Sequence, residues 1–259
     1  MLALIPVLAM PMLGACDQQT PTADGPKASA PAPARAAPVT FERETDSFAF
    51  TYEYPPQAAA LPTLKALLDA QRTQALAELE AQATEAKADA AGNDYPFNPH
   101  MMGVSWTVTG DTDALLAMIG EIGTFSGGAH GNANFEPLIW DKPGNRRVAL
   151  EAVFTDFGAA LAPLRQQYCD ALNADRQEKR GEYIGESDDM FNTCPSFDDL
   201  AIVPYAGGDG GFDRLMFIAA PYVAGSYAEG AYEISLALPA ATLAQVKSEY
   251  RSAFVIGAR

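Results

Sequence analysis

The strongest constraint on the fold is a change of hydrophobic period between residues 48 and 93. Phe48, Phe50, Tyr52 and Tyr54 recur at every second position, with Ala49, Thr51 and Glu53 between them. That alternation puts the aromatic rings on one face of a half-buried strand, so Val39 to Tyr54 reads as strand, ended by Pro55-Pro56. From Pro62 the period becomes helical. Leu64, Leu67, Leu68, Ala75, Leu79, Ala83 and Ala86 share one face, and Glu, Lys and Arg fill the rest. Proline suits a first helical turn, and Gly92-Asn93 marks the stop.

A strand-rich stretch follows. Val104, Trp106 and Val108 alternate within His100 to Thr109, and Gly110-Asp111 reads as a turn. Leu115 to Phe125 and Ala133 to Trp140 are predicted strands flanking a glycine-rich segment. A turn at Lys142-Pro143-Gly144-Asn145 precedes a short strand from Arg147 to Leu150. Thr155 or Asp156 suits a helix cap, and Gly181 a helix end. Pro163 interrupts this helix, so its regular part is placed from near Ala162, with Leu161, Leu164, Tyr168 and Leu172 as the buried stripe. Glu182 to Pro195 reads as loop. Leu200 to Tyr205 and Phe212 to Ala219 form a predicted hairpin whose turn, Gly207-Gly208-Asp209-Gly210-Gly211, supplies positive φ angles. Tyr232 to Leu238 is a last strand, and Leu243, Val246, Tyr250 and Phe254 mark a C-terminal helix. Strands punctuated by three helices predict an α+β fold: antiparallel sheets with packed helices, in two similar-sized subregions (39–150 and 151–259) of one compact unit.

The N-terminus reads as an export signal. Met1 to Met12 is apolar, too short to span a bilayer, and runs into Leu13-Gly14-Ala15-Cys16. Small residues before a cysteine suggest a lipoprotein signal (1–16) with Cys16 lipidated, hence a periplasmic protein held to a membrane by its N-terminal lipid. The first basic residue is Lys27, which fits either a start upstream or an atypical signal. Residues 17–38, with Pro21, Pro26, Pro31, Pro33 and Pro38, read as a disordered Pro/Ala linker. The net charge of −16 and the lack of a basic stripe exclude most nucleic-acid readings and suit basic partners. With Cys16 assigned to the anchor, Cys169 and Cys194 remain as an even pair. A disulfide is expected in an oxidising compartment, and two separate buried thiols are the alternative.

Candidate chemistry is sparse. His100 and His130 are the two histidines, no H-E-x-x-H motif occurs, and no metal site or cofactor is predicted. Gly123-Thr124-Phe125-Ser126-Gly127 resembles a nucleophile elbow with its serine one place late. A hydrolase reading would pair Ser126 with His130. The plainer one makes Gly127-Gly128-Ala129-His130-Gly131 a turn between two strands. Tyr222, Tyr227 and Tyr232 recur every five residues, which fits neither strand nor helix. They read either as packed tyrosines of an irregular segment or as an aromatic contact surface.

Two segments carry a resemblance. One is Thr124-Phe125-Ser126-Gly127-Gly128-Ala129-His130-Gly131-Asn132 with Leu150-Glu151-Ala152-Val153-Phe154 downstream. The other is Phe217 followed by Pro221-Tyr222-Val223-Ala224-Gly225-Ser226-Tyr227-Ala228-Glu229-Gly230-Ala231-Tyr232-Glu233-Ile234. Together they resemble the paired domains of unknown function in the extracellular part of RsiV-type anti-sigma factors, also found beside the catalytic domain of certain peptidoglycan deacetylases. The resemblance spans roughly residues 40–256 and implies a binding module, one that senses lysozyme in the anti-sigma factors. No counterpart of the sigma-binding segment or of the deacetylase catalytic domain is recognised in this sequence, so neither activity carries over. The expectation is a non-enzymatic binding or sensing lipoprotein with no catalytic residues, its partner a basic envelope protein such as a lysozyme-like muramidase, or peptidoglycan. The candidate binding residues are Gly127, Gly128, His130, Asn132, Tyr222, Tyr227 and Tyr232. A structural accessory lipoprotein is a further alternative.

Overall fold

In the computed structural model the description covers residues 36–181, 191–208 and 210–257. Cys16 with the expected signal segment, the expected linker up to residue 35, residues 182–190 of the expected loop and Asp209 of the expected hairpin turn lie outside the described residues. Strands β1 (Val39–Glu44), β2 (Phe48–Tyr54), β3 (His100–Asp111), β4 (Leu115–Phe125), β5 (Asn132–Asp141) and β6 (Arg146–Val148) form one sheet in that order. Neighbours are antiparallel except β2 and β3, which run parallel. A parallel pair needs a long crossover, which α1 (Pro56–Ala59) and the 32-residue α2 (Pro62–Asn93) provide.

Val39 to Tyr54, read as one strand, is two. Thr45 breaks it: its Oγ1 accepts the Ser47 and Phe48 N–H groups and turns the chain back on itself. Gly110 and Asp111 belong to β3, and the turn comes after them, where the Thr112 Oγ1 accepts the Leu115 N–H. Asp94, with a left-handed φ of 56°, caps α2. The expected strand from Arg147 ends at Val148, because Leu150 opens a 3-10 turn.

The sheet is buried on both faces. Leu116 and Met118 of β4 join Leu64, Leu68, Leu79 and Ala83 of α2 in one core, and Leu115 and Ala117 turn to a second core. The near-continuous apolar run of β4 follows from this double burial. The second core belongs to the rest of the chain: α3 (Phe157–Leu161), α4 (Arg165–Arg180), the antiparallel sheet of β7 (Ala201–Tyr205), β8 (Arg214–Ala219) and β9 (Tyr232–Ala237), and α5 (Ala240–Leu243). The result is α+β, two subregions of similar size packed, among the described residues, in one compact unit.

Asp156 caps α3 by accepting the Ala159 N–H, Pro163 lies in a 3-10 turn between α3 and α4, and Gly181 ends α4 with φ of 71°. The regular helix therefore begins at Arg165 rather than Ala162. The C-terminal helix is not formed. Leu243, Val246, Tyr250 and Phe254 are buried, but α5 stops at Leu243 and residues 248–253 make 3-10 turns. Val246 bridges Phe154, the Lys247 N–H donates to Val153 O, and Phe254 bridges Phe212. These long-range partners take the backbone groups that a continuous helix would pair internally. Phe212 is drawn into that bridge, so β8 begins only at Arg214. Of the four described turn glycines, Gly211 alone has positive φ, 115°.

Candidate functional site

The β4–β5 connection and the segment between β8 and β9 meet in space. In the first, Gly127 takes φ of 87° and its carbonyl accepts the Asn98 side-chain amide at 3.2 Å. A Cβ on Gly131 would lie 2.9 Å from the Thr124 carbonyl, so the loop closes tightly only with glycine there. Nothing lies within 4 Å of a Cβ built on Gly128, and Asn132 opens β5 opposite Thr124. His130 is thereby presented outward.

His130 Nδ1 lies 2.7 Å from Gly131 O, and a carbonyl can only accept, so Nδ1 carries the hydrogen. Nε2 of the neutral ring is then the acceptor for the Tyr222 hydroxyl at 3.0 Å. The imidazole also stacks on Tyr227, with ring centroids 3.8 Å apart and planes 19° from parallel. Tyr222 and Tyr227 approach to 5.9 Å. Three rings from segments 92 residues apart thus form one cluster. Tyr222 is half exposed and has φ of 73°, a left-handed conformation that a bulky non-glycine residue adopts only under constraint. Its N–H donates to Gly225 O, closing that turn.

Tyr232 stands apart. It is fully buried, its hydroxyl donates to Glu229, and the Lys179 ammonium lies 3.8 Å from its ring centroid. Of the seven residues predicted to bind, His130, Tyr222 and Tyr227 come together, Gly127, Gly128 and Asn132 shape the loop, and Tyr232 anchors the segment from below. The hydrogen bonds of His130 go to Gly131 and Tyr222 rather than Ser126, which instead lines a cavity with His100. Among the described residues, no three His, Cys, Asp or Glu side chains gather to hold a metal ion, and no helix is long and apolar enough to cross a membrane.

What holds the tyrosine segment is a polar latch on α4. Arg176 is fully buried, and its guanidinium donates to Ala224 O at 2.9 Å, Asn173 Oδ1 at 3.0 Å, Asn192 O at 3.1 Å and Thr193 O at 2.9 Å. Burial first, and then the neighbouring Arg180, push its pKa down from the ordinary arginine value. Arg180 donates to Glu229 Oε2 at 2.7 Å and to Asn192 Oδ1 at 2.6 Å. Glu229 also closes a capping box with Ser226, accepting its N–H and hydroxyl at 2.8 Å. Cys169 and Cys194 are bridged, with Cα atoms 5.5 Å apart, which fastens the carbonyl-bearing segment around Asn192 and Thr193 to the same helix.

Two signals of the latch stand in the sequence. The buried stripe of α4 continues at intervals of four, from Leu164 through Tyr168 and Leu172 to Arg176 and Arg180. Ser226-Tyr227-Ala228-Glu229 has capping-box spacing. Neither one names its partner.

The match to known proteins falls on the first of the two segments. A family model described as deacetylase PdaC matches residues 41–133, a stretch that includes Gly127, Gly128, His130 and Asn132. This agrees with the resemblance to domains found beside deacetylases. No curated protein matches the chain. Several solved structures are similar, two of them as follows. A DUF3298-family protein from Bacteroides fragilis has 16% identity and a TM-score of 0.49, with 84% of this chain and 97% of that one covered. A DUF3298-family protein from Pseudomonas aeruginosa has 13% identity and a TM-score of 0.45, with 86% and 98% covered.

The latch carries a pH dependence. Burial by itself would raise the Glu229 carboxyl, but hydrogen bonds from Tyr232, Arg180 and Ser226 outweigh it and hold the group at about 2, against 4.5 unperturbed. The folded state therefore favours the carboxylate. Its contribution is complete above about 4.5 and is lost as pH falls toward about 2. That displacement corresponds to at most about 3 kcal/mol. Denaturant unfolding across this window is expected to show stability falling with pH, and a flatter profile for Glu229→Gln. Parallel profiles would show that Glu229 is not the linked group.

Proposed function

We propose that this protein is a membrane-tethered envelope lipoprotein, anchored through Cys16, that acts as a non-enzymatic binding module of the RsiV-like kind. Its partner is a basic envelope protein of the lysozyme class. The observation that carries the reading is the His130–Tyr222–Tyr227 cluster: Tyr222, half exposed and in a strained backbone conformation, is hydrogen bonded to a His130 ring that itself stacks on Tyr227, so that little side-chain freedom remains to lose on binding. Tyrosine supplies large rigid contact area with a hydrogen-bonding tip. The net charge of −16 supports a cationic partner through electrostatic steering. An exposed tyrosine ring would also stack on a sugar, so soluble peptidoglycan fragments form the comparison ligand.

Calorimetric titration of the protein with a basic lysozyme tests this reading. Binding is expected at low salt, weakened by added salt, with Tyr222→Ala raising Kd about tenfold or more, as for an aromatic hot spot worth about 2 kcal/mol. No binding at low salt would sink the proposal. Binding unchanged in Tyr222→Ala and Tyr227→Ala would move the contact elsewhere, and binding to peptidoglycan fragments alone would replace the partner.

A further inference from the structure

The double burial of the central sheet ends part-way along it. On the face that carries Leu115 and Ala117, Ile119 is the last residue of β4 packed against the second core. Beyond Ile119 that face is open: Glu42, Glu53 and Glu121 are exposed, and Met101 is 55% exposed. The strand registers set its residues in rows. Thr51, Gly103, Gly123 and Ala133 lie side by side across β2 to β5. Met101 and Phe125 flank this row on one side, and Glu53, Ser105, Glu121 and Phe135 on the other. Rows on one face lie about 7 Å apart, so the flanking rows stand about 14 Å from each other and leave a floor of bare backbone wide enough for an extended chain.

The fold itself does not account for that floor. Glycine weakens a strand interior, and neither Gly103 nor Gly123 has positive φ. A Cβ on Gly123 would meet only the Gly103 carbonyl oxygen, at 4.0 Å. One on Gly103 would meet only the end of the Thr51 side chain, at 3.1 Å. Glycines in such positions mark close approach by another backbone. The charge around the floor has one sign. Arg43 is the one Lys or Arg in β1 to β5, and it stands opposite Phe50 on the other face and pairs with Glu80. Among the described residues, Glu42, Glu53 and Glu121 form no ion pair, and Glu53 accepts only the neutral Ser105 hydroxyl, at 2.6 Å. A face whose only task is to meet water intersperses both signs. Exposed Met101 and half-buried Phe125 and Phe135 add apolar surface beside the carboxylates, which suits the alkyl stems of basic side chains.

We propose that this open face docks an extended lysine- or arginine-bearing segment of a partner protein, its backbone over Gly103 and Gly123 and its charges against Glu53 and Glu121. The His130 loop leaves β4 at Phe125 and enters β5 at Asn132, so the face adjoins the aromatic cluster, but it is built from other residues and does not depend on it. The test is NMR titration of the folded protein, following the Gly103 and Gly123 amides. The probes are acetyl-Lys-Val-Lys-Val-Lys-amide and a control peptide with glutamine in place of each lysine. A saturable shift of both amides is expected with the lysine peptide, weakened about tenfold in Glu53→Gln/Glu121→Gln and by added salt. Gly123→Thr is expected to raise Tm, since threonine suits a strand and its Cβ meets no obstacle, and yet to abolish peptide binding by filling the floor. No shift at Gly103 and Gly123, equal affinity for the glutamine peptide, or undiminished binding in Gly123→Thr would overturn the proposal. Lysozyme is titrated separately. Peptide binding without lysozyme binding would strike the partner class proposed above and keep this face, and lysozyme binding without peptide binding would do the reverse.

Discussion

Replacing Arg176 by methionine is expected to lower the free energy of unfolding by about 3–5 kcal/mol. Methionine keeps most of the volume, so the loss isolates hydrogen bonding from packing. The guanidinium satisfies Ala224 O, Asn192 O, Thr193 O and the Asn173 side chain at one fully buried point. Without it the buried Ala224 carbonyl keeps only the longer contact from Arg180 at 3.4 Å and the part-buried acceptors lose a donor, and a buried group left unpaired costs about 1–3 kcal/mol. Arg176→Lys should recover less than half of the loss. A point ammonium cannot reach four acceptors that are spread around a planar fork. Urea unfolding supplies the number, and hydrogen exchange supplies the location. The amide of Tyr222, bonded to Gly225 O, should exchange faster in Arg176→Met because the Ala224 carbonyl beside it loses the shorter of its two arginine hydrogen bonds. A cost under about 1 kcal/mol would mean that the interior relaxes around the gap and that the latch is not structural.

The second large effect is expected from the disulfide. Cys169 and Cys194 are separated by 25 residues, and a cross-link of that span restricts the unfolded chain by about 3.5 kcal/mol in the loop-entropy model. The double variant Cys169→Ala/Cys194→Ala should lose about that much. It should lose more in practice, since the bridge also holds the segment whose Asn192 and Thr193 carbonyls receive Arg176, and whose Cys194 carbonyl receives Arg165 at 2.8 Å. A double-mutant cycle with Arg176→Met separates the two contributions. Coupling above about 0.5 kcal/mol is expected, because both changes act on one set of carbonyls. Strict additivity would show that the bridge acts on the unfolded chain alone. Binding through Tyr222 and Tyr227 should weaken together with stability, since the latch and the platform share the Ala224–Glu229 segment.

Much of the architecture is legible because it rests on local signals. The period-two aromatics of β2, the period of α2 with proline at its first turn, and the Asp156 and Gly181 ends of the α3–α4 helical stretch all act within a few residues. The failures share a cause. Thr45 splits a strand through one side-chain hydroxyl, a detail that alternation does not register. Leu243, Val246, Tyr250 and Phe254 have helical spacing and are buried as such spacing predicts, yet the helix breaks because Phe154 and Phe212 capture the backbone. The parallel pairing of β2 with β3 is invisible in either strand alone.

For the candidate site, the sequence by itself singled out the glycine-rich loop around His130 and the tyrosines at 222, 227 and 232. It also supplied the cysteine pair that proves to be bridged. Residue type and local spacing suffice for that. Tertiary structure alone decided that His130 stacks on Tyr227 and accepts from Tyr222, that Tyr232 turns inward, and that a buried arginine on α4 holds the arrangement. The physical reason is distance along the chain. These contacts join groups some 50 to 90 residues apart, where neither hydrophobic period nor turn chemistry carries information, and only the packing of α4 and the two sheets brings the partners together.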